Sequence, residues 1–251
     1  IGRVRDDQLG TIFSHDIRAV GAQFDTPAAT SGATTARCLI YVTPDAERTM
    51  CTFLGASTQL EPDDLDLSMV RQTKVLYLEG YLWDSPAAKR AFIAGAEACR
   101  AAGGQVALSL SDGFCVDRHR ESFLELVDGH VDVLFANEAE IKSLYQTDDF
   151  ETALERVRGC CSVTAITRAS EGSVVLSGDQ RFDIGIFSLG TLVDTTGAGD
   201  LYAGGFLHAY TQGESLERCG QLGALCAGQI VTQLGARSQV CLKELMAQHL
   251  S

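Results

Sequence analysis

The chain has 251 residues, 45% hydrophobic and 21% charged, which is enough to fill the core of one large α/β domain and excludes a disordered or low-complexity chain. A formal net charge of −13 gives a surface field that repels nucleic acid and anionic membrane, so neither is an expected partner, and the longest apolar runs, such as Val131 to Ala136, fall far short of a membrane span. The nine cysteines are scattered apart from Cys160 and Cys161, and the histidines at 15, 119, 130, 208 and 249 are equally dispersed. Neither a disulfide frame nor zinc spacing emerges, and with no leader pattern at Ile1 the expectation is a soluble, cytoplasmic protein with reduced thiols.

In chain order, Asp6 to Ala19 reads as a short helix with Leu9, Ile12, Phe13 and Ile17 on one side, and Ala22 to Phe24 as the start of a strand. The β-prone runs Ala36 to Val42 and Arg48 to Leu54 flank the polar turn TPDAE, a hairpin signal. Val75 to Glu79 is an apolar strand that ends in a carboxylate. Ligands of open parallel sheets sit outside the carboxyl ends of strands, where Glu79 stands. Ser85 to Ala102 has helical composition, with Pro86 at its start and Gly103-Gly104 after its end.

The alternation continues with strand Gln105 to Leu110, helix Val116 to Val127, strand Val131 to Ala136, helix Glu138 to Tyr145 and a helix from Phe150 to about Cys160. Strand Val163 to Thr167 follows, then the hairpin-like pair Ser173 to Ser177 and Arg181 to Ile186. Repeated βα units of this spacing argue for a parallel sheet covered by helices on both faces, in one domain without internal repeats.

Asn137 and Glu140 open a helix directly after a strand. Taken alone, an N-cap Asn with Glu at the third position is a capping box. The functional alternative is that Glu140 holds Mg²⁺ through water at the strand end while Asn137 meets a phosphate.

Val193 to Gly205 reads VDTTGAGDLYAGG. It follows the β-prone run Phe187 to Val193 and opens a helix in which Leu201, Tyr202, Phe206, Ala209 and Tyr210 share one apolar side. A helix start carries unpaired N–H groups and partial positive charge, and Gly197 and Gly199 let an anion come close to the backbone. Asp200 is the odd member, since a carboxylate repels an anion. It makes sense as the acceptor of a proton from a group attacking phosphorus, or as an acid favoured by the helix dipole with Asp194 or Thr195 as cap. A Walker pattern is absent from the chain, and the dinucleotide fingerprint needs a glycine where Tyr202 stands.

What remains, Asp194-Thr195-Thr196-Gly197-Ala198-Gly199-Asp200, resembles the DTxGAGD signature of the ribokinase-like, or PfkB, family of carbohydrate and nucleoside kinases. Asn137 to Glu140 matches the family's NxxE motif. Thr167 to Gly172, TRASEG, is a partial match to its T-x-G-x-x-G segment, with Ala169 in place of the first glycine. The run LSLSDGFCVDRHRESFLELVDGHVDVLFANEAE is more similar to adenosine kinases than to ribokinases or fructokinases.

The resemblance implies a three-layer α/β/α sandwich with a mainly parallel central sheet. A small β-lid would be contributed by about residues 22–56, the rest of 1–251 being one domain from which the family's N-terminal strand and GGxxxN segment are missing. It implies ATP-dependent transfer to a primary hydroxyl, most simply the 5′-OH of adenosine. Asp200 would be the base, with Gly197, Ala198 and Gly199 as the anion cradle. Asn137, Thr167, Arg168, Gly172, Gly199 and Gly223 would lie along the nucleotide, and Glu79 and Asp200 on the acceptor side. Glu140 would anchor Mg²⁺ through water, and Asp194 and Thr196, with carbonyls near Ile230 and Gly235, would shape a monovalent-cation site of the kind that binds K⁺ in some members. Small residues of LGALCAGQIVTQLGA, read as a continuing helix, would either receive an adenine ring or pack tightly. The alternatives are a sugar kinase of the same fold, or a non-catalytic nucleoside or ATP sensor, against which the intact Asp200 and Glu140 argue. A monomer and a homodimer both suit the resemblance.

Overall fold

The computed structural model describes residues 1–250. Helix α1 (Gln8–Ala19) starts where Asp7 caps it, its carboxylate accepting the Gly10 N–H at 2.8 Å. The same carboxylate accepts the Thr35 N–H at 2.9 Å and hydroxyl at 2.7 Å, and these bonds hold its pKa below the usual carboxylate value. Strands β1 (Arg37–Val42) and β2 (Arg48–Phe53) form the expected hairpin as a separate two-stranded sheet. The strand expected at Ala22 to Phe24 does not form. Phe24 is buried edge-on against Phe13, with centroids 5.4 Å apart, and its carbonyl is taken by the Arg18 guanidinium at 2.6 and 3.0 Å instead of by a neighbouring strand.

The central sheet has six strands in sequence order: β3 (Val75–Glu79), β4 (Gln105–Ser109), β5 (Val133–Asn137), β6 (Val163–Thr167), β7 (Ser173–Ser177) and β8 (Gln180–Ile184). It is mainly parallel, with β5 parallel to β6 and the last strands turning antiparallel from β6 to β7 to β8. Val133 to Ala136 are all buried, as a strand covered on both faces requires.

The helices are α2 (Leu67–Val70), α3 (Pro86–Ala101), α4 (Gly113–His130), α5 (Glu138–Tyr145), α6 (Phe150–Val157), α7 (Ala198–Thr211), α8 (Leu216–Ile230) and α9 (Leu242–His249). Among the described residues no helix is long and apolar enough to cross a membrane. Helix α4 begins earlier than its periodicity suggested because Asp112 caps it through the Cys115 N–H at 3.1 Å, and it is kinked at His119. Helix α6 stops at Val157, and α2 and α9 were not anticipated.

The chain falls into two compact units, Ile1–Ile40 with Met50–Ala107, and Tyr41–Thr49 with Leu108–Ser251. In the first, Ala88 and Ala91 of α3 pack on Leu60, with Leu65 and Leu82 against them. In the second, Phe123, Leu134, Ile141, Ile166, Phe206 and Leu225 are among the fully buried side chains. Helices α7 and α8 approach through glycine: a Cβ on Gly205 would lie 2.8 Å from the Leu222 carbonyl oxygen, and one on Gly223 2.8 Å from that of Tyr202.

Two expectations around the glycine signature are corrected. Phe187 to Val193 belongs to no strand and bends at Gly190, and at its end the Val193 N–H donates to the Val231 carbonyl at 2.8 Å. The helix read through Ala236 ends at Ile230, and the chain then turns through Gly235, which has a positive φ of 87°.

Candidate active site

Helix α7 is capped by Gly197 itself, at φ 82°, and not by the side chain of Asp194 or Thr195. Two constraints demand glycine here: the left-handed backbone, and Ala236, whose Cβ would lie 2.7 Å from an added Cβ. Gly199 is the opposite case, exposed and with nothing within 4 Å of an added Cβ. The first intrahelical acceptor goes to Leu201, whose N–H meets the Gly197 carbonyl at 2.9 Å. The N–H groups of Gly199 and Asp200 therefore have no partner within the helix and face an open approach. Fourteen residues of α7 add their peptide dipoles behind them. Asp200 stands exposed in this first turn.

The inner side of the same loop is fully fastened. Asp194 and Thr196 are buried, and Asp194 Oδ1 accepts the Thr196 N–H at 2.9 Å and hydroxyl at 2.6 Å. Its Oδ2 accepts the Gly235 N–H at 2.9 Å. Burial by itself would raise the Asp194 pKa, but the donors from Thr196 and Gly235, with the nearby Arg48 charge, hold it below the ordinary carboxylate value. These three donors account for the carboxylate as a loop fastener.

Arg48 is the residue that sequence reasoning missed. At the first position of β2 it donates from Nη1 to Thr195 Oγ1 at 2.5 Å, which places a guanidinium beside the glycine turn. The available signal was an arginine directly after a polar hairpin turn in a strongly acidic chain. Nothing in its spacing tied it to residue 195.

The second constellation sits where β5 and β6 end side by side, with Asn137 opposite Thr167 in the parallel register. The capping box forms in full. Asn137 Oδ1 accepts the Glu140 N–H at 2.8 Å, and the two Glu140 oxygens accept the Asn137 N–H at 2.9 Å and side-chain amide at 2.7 Å. Glu140 is buried and Asn137 exposed.

Beside them Glu138 bonds Lys142 Nζ at 2.8 Å and Arg168 Nε at 2.9 Å. The Lys142 bond first, and then Arg168, bring its pKa below the ordinary range against the effect of burial. Arg168 also pairs with Glu171 at 2.7 Å and lies over the Phe150 ring, 4.1 Å from its centroid. Its charge is thus held inside a local network. Ala169 adopts the left-handed φ of 48° that its missing glycine would take freely, and Gly172 is required because an added Cβ would lie 2.0 Å from the Ile184 carbonyl oxygen.

One compact unit therefore holds Asp194 to Asp200, Arg48, Asn137, Glu140, Thr167, Arg168 and Gly172. Glu79 ends β3 in the other unit. Gly223, expected near a base, is buried, and an added Cβ there would lie 2.8 Å from the Tyr202 carbonyl oxygen. Among the described residues no group of three or more His, Cys, Asp or Glu side chains is gathered to hold a metal. Glu140 turns one carboxylate oxygen to each Asn137 donor, so a hard oxygen ligand set stands at the end of β5. That donor chemistry fits Mg²⁺, which gives up its waters reluctantly.

A family model described as pfkB family carbohydrate kinase matches residues 1–243. The solved adenosine kinase of Sinorhizobium meliloti is 50% identical, with a TM-score of 0.96 over 99% of this chain and 76% of that one. A probable sugar kinase protein from Rhizobium etli CFN 42 is 48% identical, with a TM-score of 0.96 over 98% of this chain and 75% of that one. A curated relative, an uncharacterized sugar kinase of Archaeoglobus fulgidus, is 25% identical over 94% of this chain and 92% of its own length.

Proposed function

We propose, from the premise that the chain belongs to the pfkB family of carbohydrate kinases and is thus a phosphotransferase with an alcohol acceptor, that it transfers the γ-phosphoryl group of ATP to the 5′-hydroxyl of adenosine. The observation that carries the chemistry is the turn Gly197 to Asp200, where exposed Gly199 and Asp200 bring N–H groups unpaired within the helix and a carboxylate into one helical turn. The choice of adenosine rests on the 50% identity to an adenosine kinase and on the run from Leu108 to Glu140.

In this reading the phosphoryl group approaches the bare side of Gly199. The N–H groups of Gly199 and Asp200 stabilise charge on its oxygens, an effect worth about 3 kcal/mol per well-placed donor in other oxyanion holes. Arg48 adds the positive charge that a chain of net charge −13 otherwise lacks there. Asp200 receives the proton of the attacking hydroxyl as the oxygen–phosphorus bond forms. A carboxylate is a weak base, so its placement matters more than its basicity. Asn137 and Glu140 would orient the water shell of Mg²⁺, which when bound neutralises phosphate charge. Thr167, level with Asn137, and the backbone at Gly172 would lie along the nucleotide.

A sugar acceptor is the second reading, favoured by the Rhizobium etli sugar kinase protein at almost the same identity. ADP release measured with ATP, Mg²⁺ and a panel of nucleosides and sugars decides between them. Adenosine is expected to give the highest kcat/KM. A faster reaction with ribose, fructose or another nucleoside moves the acceptor, and ADP release with none of them overturns the kinase reading.

A further inference from the structure

We infer that Tyr202 is a positioning residue for phosphoryl transfer: its hydroxyl, bonded to that of Ser173, fixes the rotation of α7 and so keeps the glycine turn and Asp200 set relative to the strand ends that carry Asn137 and Thr167. The inference rests on the kinase reading of that turn. Tyr202 and Ser173 are each 3% exposed, and their hydroxyls share a hydrogen bond of 2.8 Å. Tyr202 follows Asp200 by two residues, a rotation of roughly 200° on an α-helix, so it stands on the buried side of α7 while Asp200 stands on the exposed side. Whatever fixes the inner side of this first turn therefore sets the outer one.

The Ser173 end of the bond belongs to the sheet. Ser173 pairs with Thr167 of β6 and with Ile184 of β8, and Thr167 pairs in turn with Asn137 of β5. One line across the strands thus leads from the capping box of Glu140 to a hydroxyl that takes hold of α7. The ring of Tyr202 is held differently. It stacks on Phe206 with centroids 6.3 Å apart, and an added Cβ on Gly223 would come within 3.1 Å of it. Apolar contacts of this kind are not directional and let a helix turn slightly, whereas a hydrogen bond weakens steeply with angle. A phenylalanine would fill the same space, and a buried hydroxyl costs free energy unless it is bonded, so the phenol is placed for the bond. Burial pushes its pKa up to about 12, which keeps the bond neutral at working pH.

The test compares the parent chain with Tyr202→Phe, Ser173→Ala and the double variant, at saturating ATP, Mg²⁺ and adenosine, or the acceptor that the panel identifies. Tyr202→Phe is expected to lower kcat at least tenfold, as a misplacement of about an ångström does, with nucleotide affinity within about threefold of the parent. Ser173→Ala is expected to do the same, and the double variant to match either single one within about twofold, because both remove one bond. A tyrosine that only stabilised the core would lower the melting temperature and leave kcat unchanged well below it. That result overturns the inference, as do single losses that multiply in the double variant. Amide exchange at Leu201, whose N–H meets the Gly197 carbonyl at 2.9 Å, is a readout without turnover. Exchange at least tenfold faster in Tyr202→Phe, with α8 unchanged, is expected, and equal exchange overturns the inference. Absence of ADP release by the parent chain with every acceptor sinks the kinase reading instead, and the Leu201 exchange then decides by itself whether the bond sets the turn.

Discussion

The Asp194 carboxylate accepts the Gly235 N–H at 2.9 Å across 41 residues of chain, pinning the inside of the glycine turn to the segment that follows α8. Because the inner side is fixed, Gly199 and Asp200 can present bare N–H groups on the outer side without local unfolding. Removing the carboxylate leaves buried donors unsatisfied, so Asp194→Ala is expected to cost about 3 kcal/mol of stability. The pH dependence has a definite sign. The folded pKa of Asp194 lies below its unfolded value, so its contribution is fully present above the unfolded pKa and is lost as pH falls through the folded one. Thermal unfolding from pH 7 down to pH 3 should show a shallower acid limb in Asp194→Asn than in the parent chain. Superimposable limbs would remove Asp194 as the fastener.

Gly199 separates a structural glycine from a functional one. Its φ is ordinary for a helix start and an added Cβ meets nothing, so Gly199→Ala should raise stability by about 1 kcal/mol through helix propensity. If the phosphoryl group uses that bare side, the same change should lower kcat at least tenfold. A variant that is both more stable and fully active would move the anion elsewhere. Gly197→Ala is the contrasting control, strained by the left-handed backbone and by Ala236.

Much of this is legible in the amino-acid sequence. The βα alternation is written in apolar runs bounded by glycine and polar residues, and the strands at 75–79, 163–167 and 173–177 fall where their β-branched runs place them. What stayed hidden was non-local. The run from Phe187 to Val193 carries strand composition, yet its Val193 N–H is taken by the Val231 carbonyl beyond α8 and not by a strand. Small residues such as Gly223 suit a flat ligand and a close helix crossing equally well, and the approach of Tyr202 on α7 to Gly223 could not be read from spacing. Arg48 could not be read as part of the site because its partner lies 147 positions away. The capping box at Asn137 was legible in full, since its partners are three residues apart.

Ala169 offers a test of strain at the nucleotide-side loop. A left-handed alanine costs about 1–2 kcal/mol, part of which a glycine gives back through its larger unfolded-state entropy. Ala169→Gly should therefore be neutral to about 1 kcal/mol stabilising, unlike most core changes. Denaturant unfolding measures this directly. A loss of more than about 1 kcal/mol would mean that the Ala169 side chain makes a contact that outweighs the backbone cost.

Arg48 is exposed, and its bond to Thr195 is a single hydroxyl contact, so its removal should leave stability within about 1 kcal/mol. Its charge beside the glycine turn predicts a different effect on rate. Arg48→Gln should lower kcat about 100-fold, in line with the loss of one transition-state donor, with Arg48→Lys recovering part of it. Equal kcat in parent and variant would reduce Arg48 to a loop contact.

Asp200 decides whether the turn is a catalyst or only an anion-binding helix start. The dipole alternative says that an acid in the first turn of α7 contributes about 0.3–1 kcal/mol of stability and nothing else. The base alternative says that Asp200→Asn, which keeps size and hydrogen-bonding capacity while deleting the proton acceptor, lowers kcat by about 10²–10⁴ with ATP affinity retained. The two are separable because one appears in unfolding and the other in turnover. Single-turnover ADP formation and nucleotide binding on the same preparation give both quantities. Retained turnover with lowered stability would assign Asp200 to the helix, and lost turnover with unchanged nucleotide affinity would assign it to the proton.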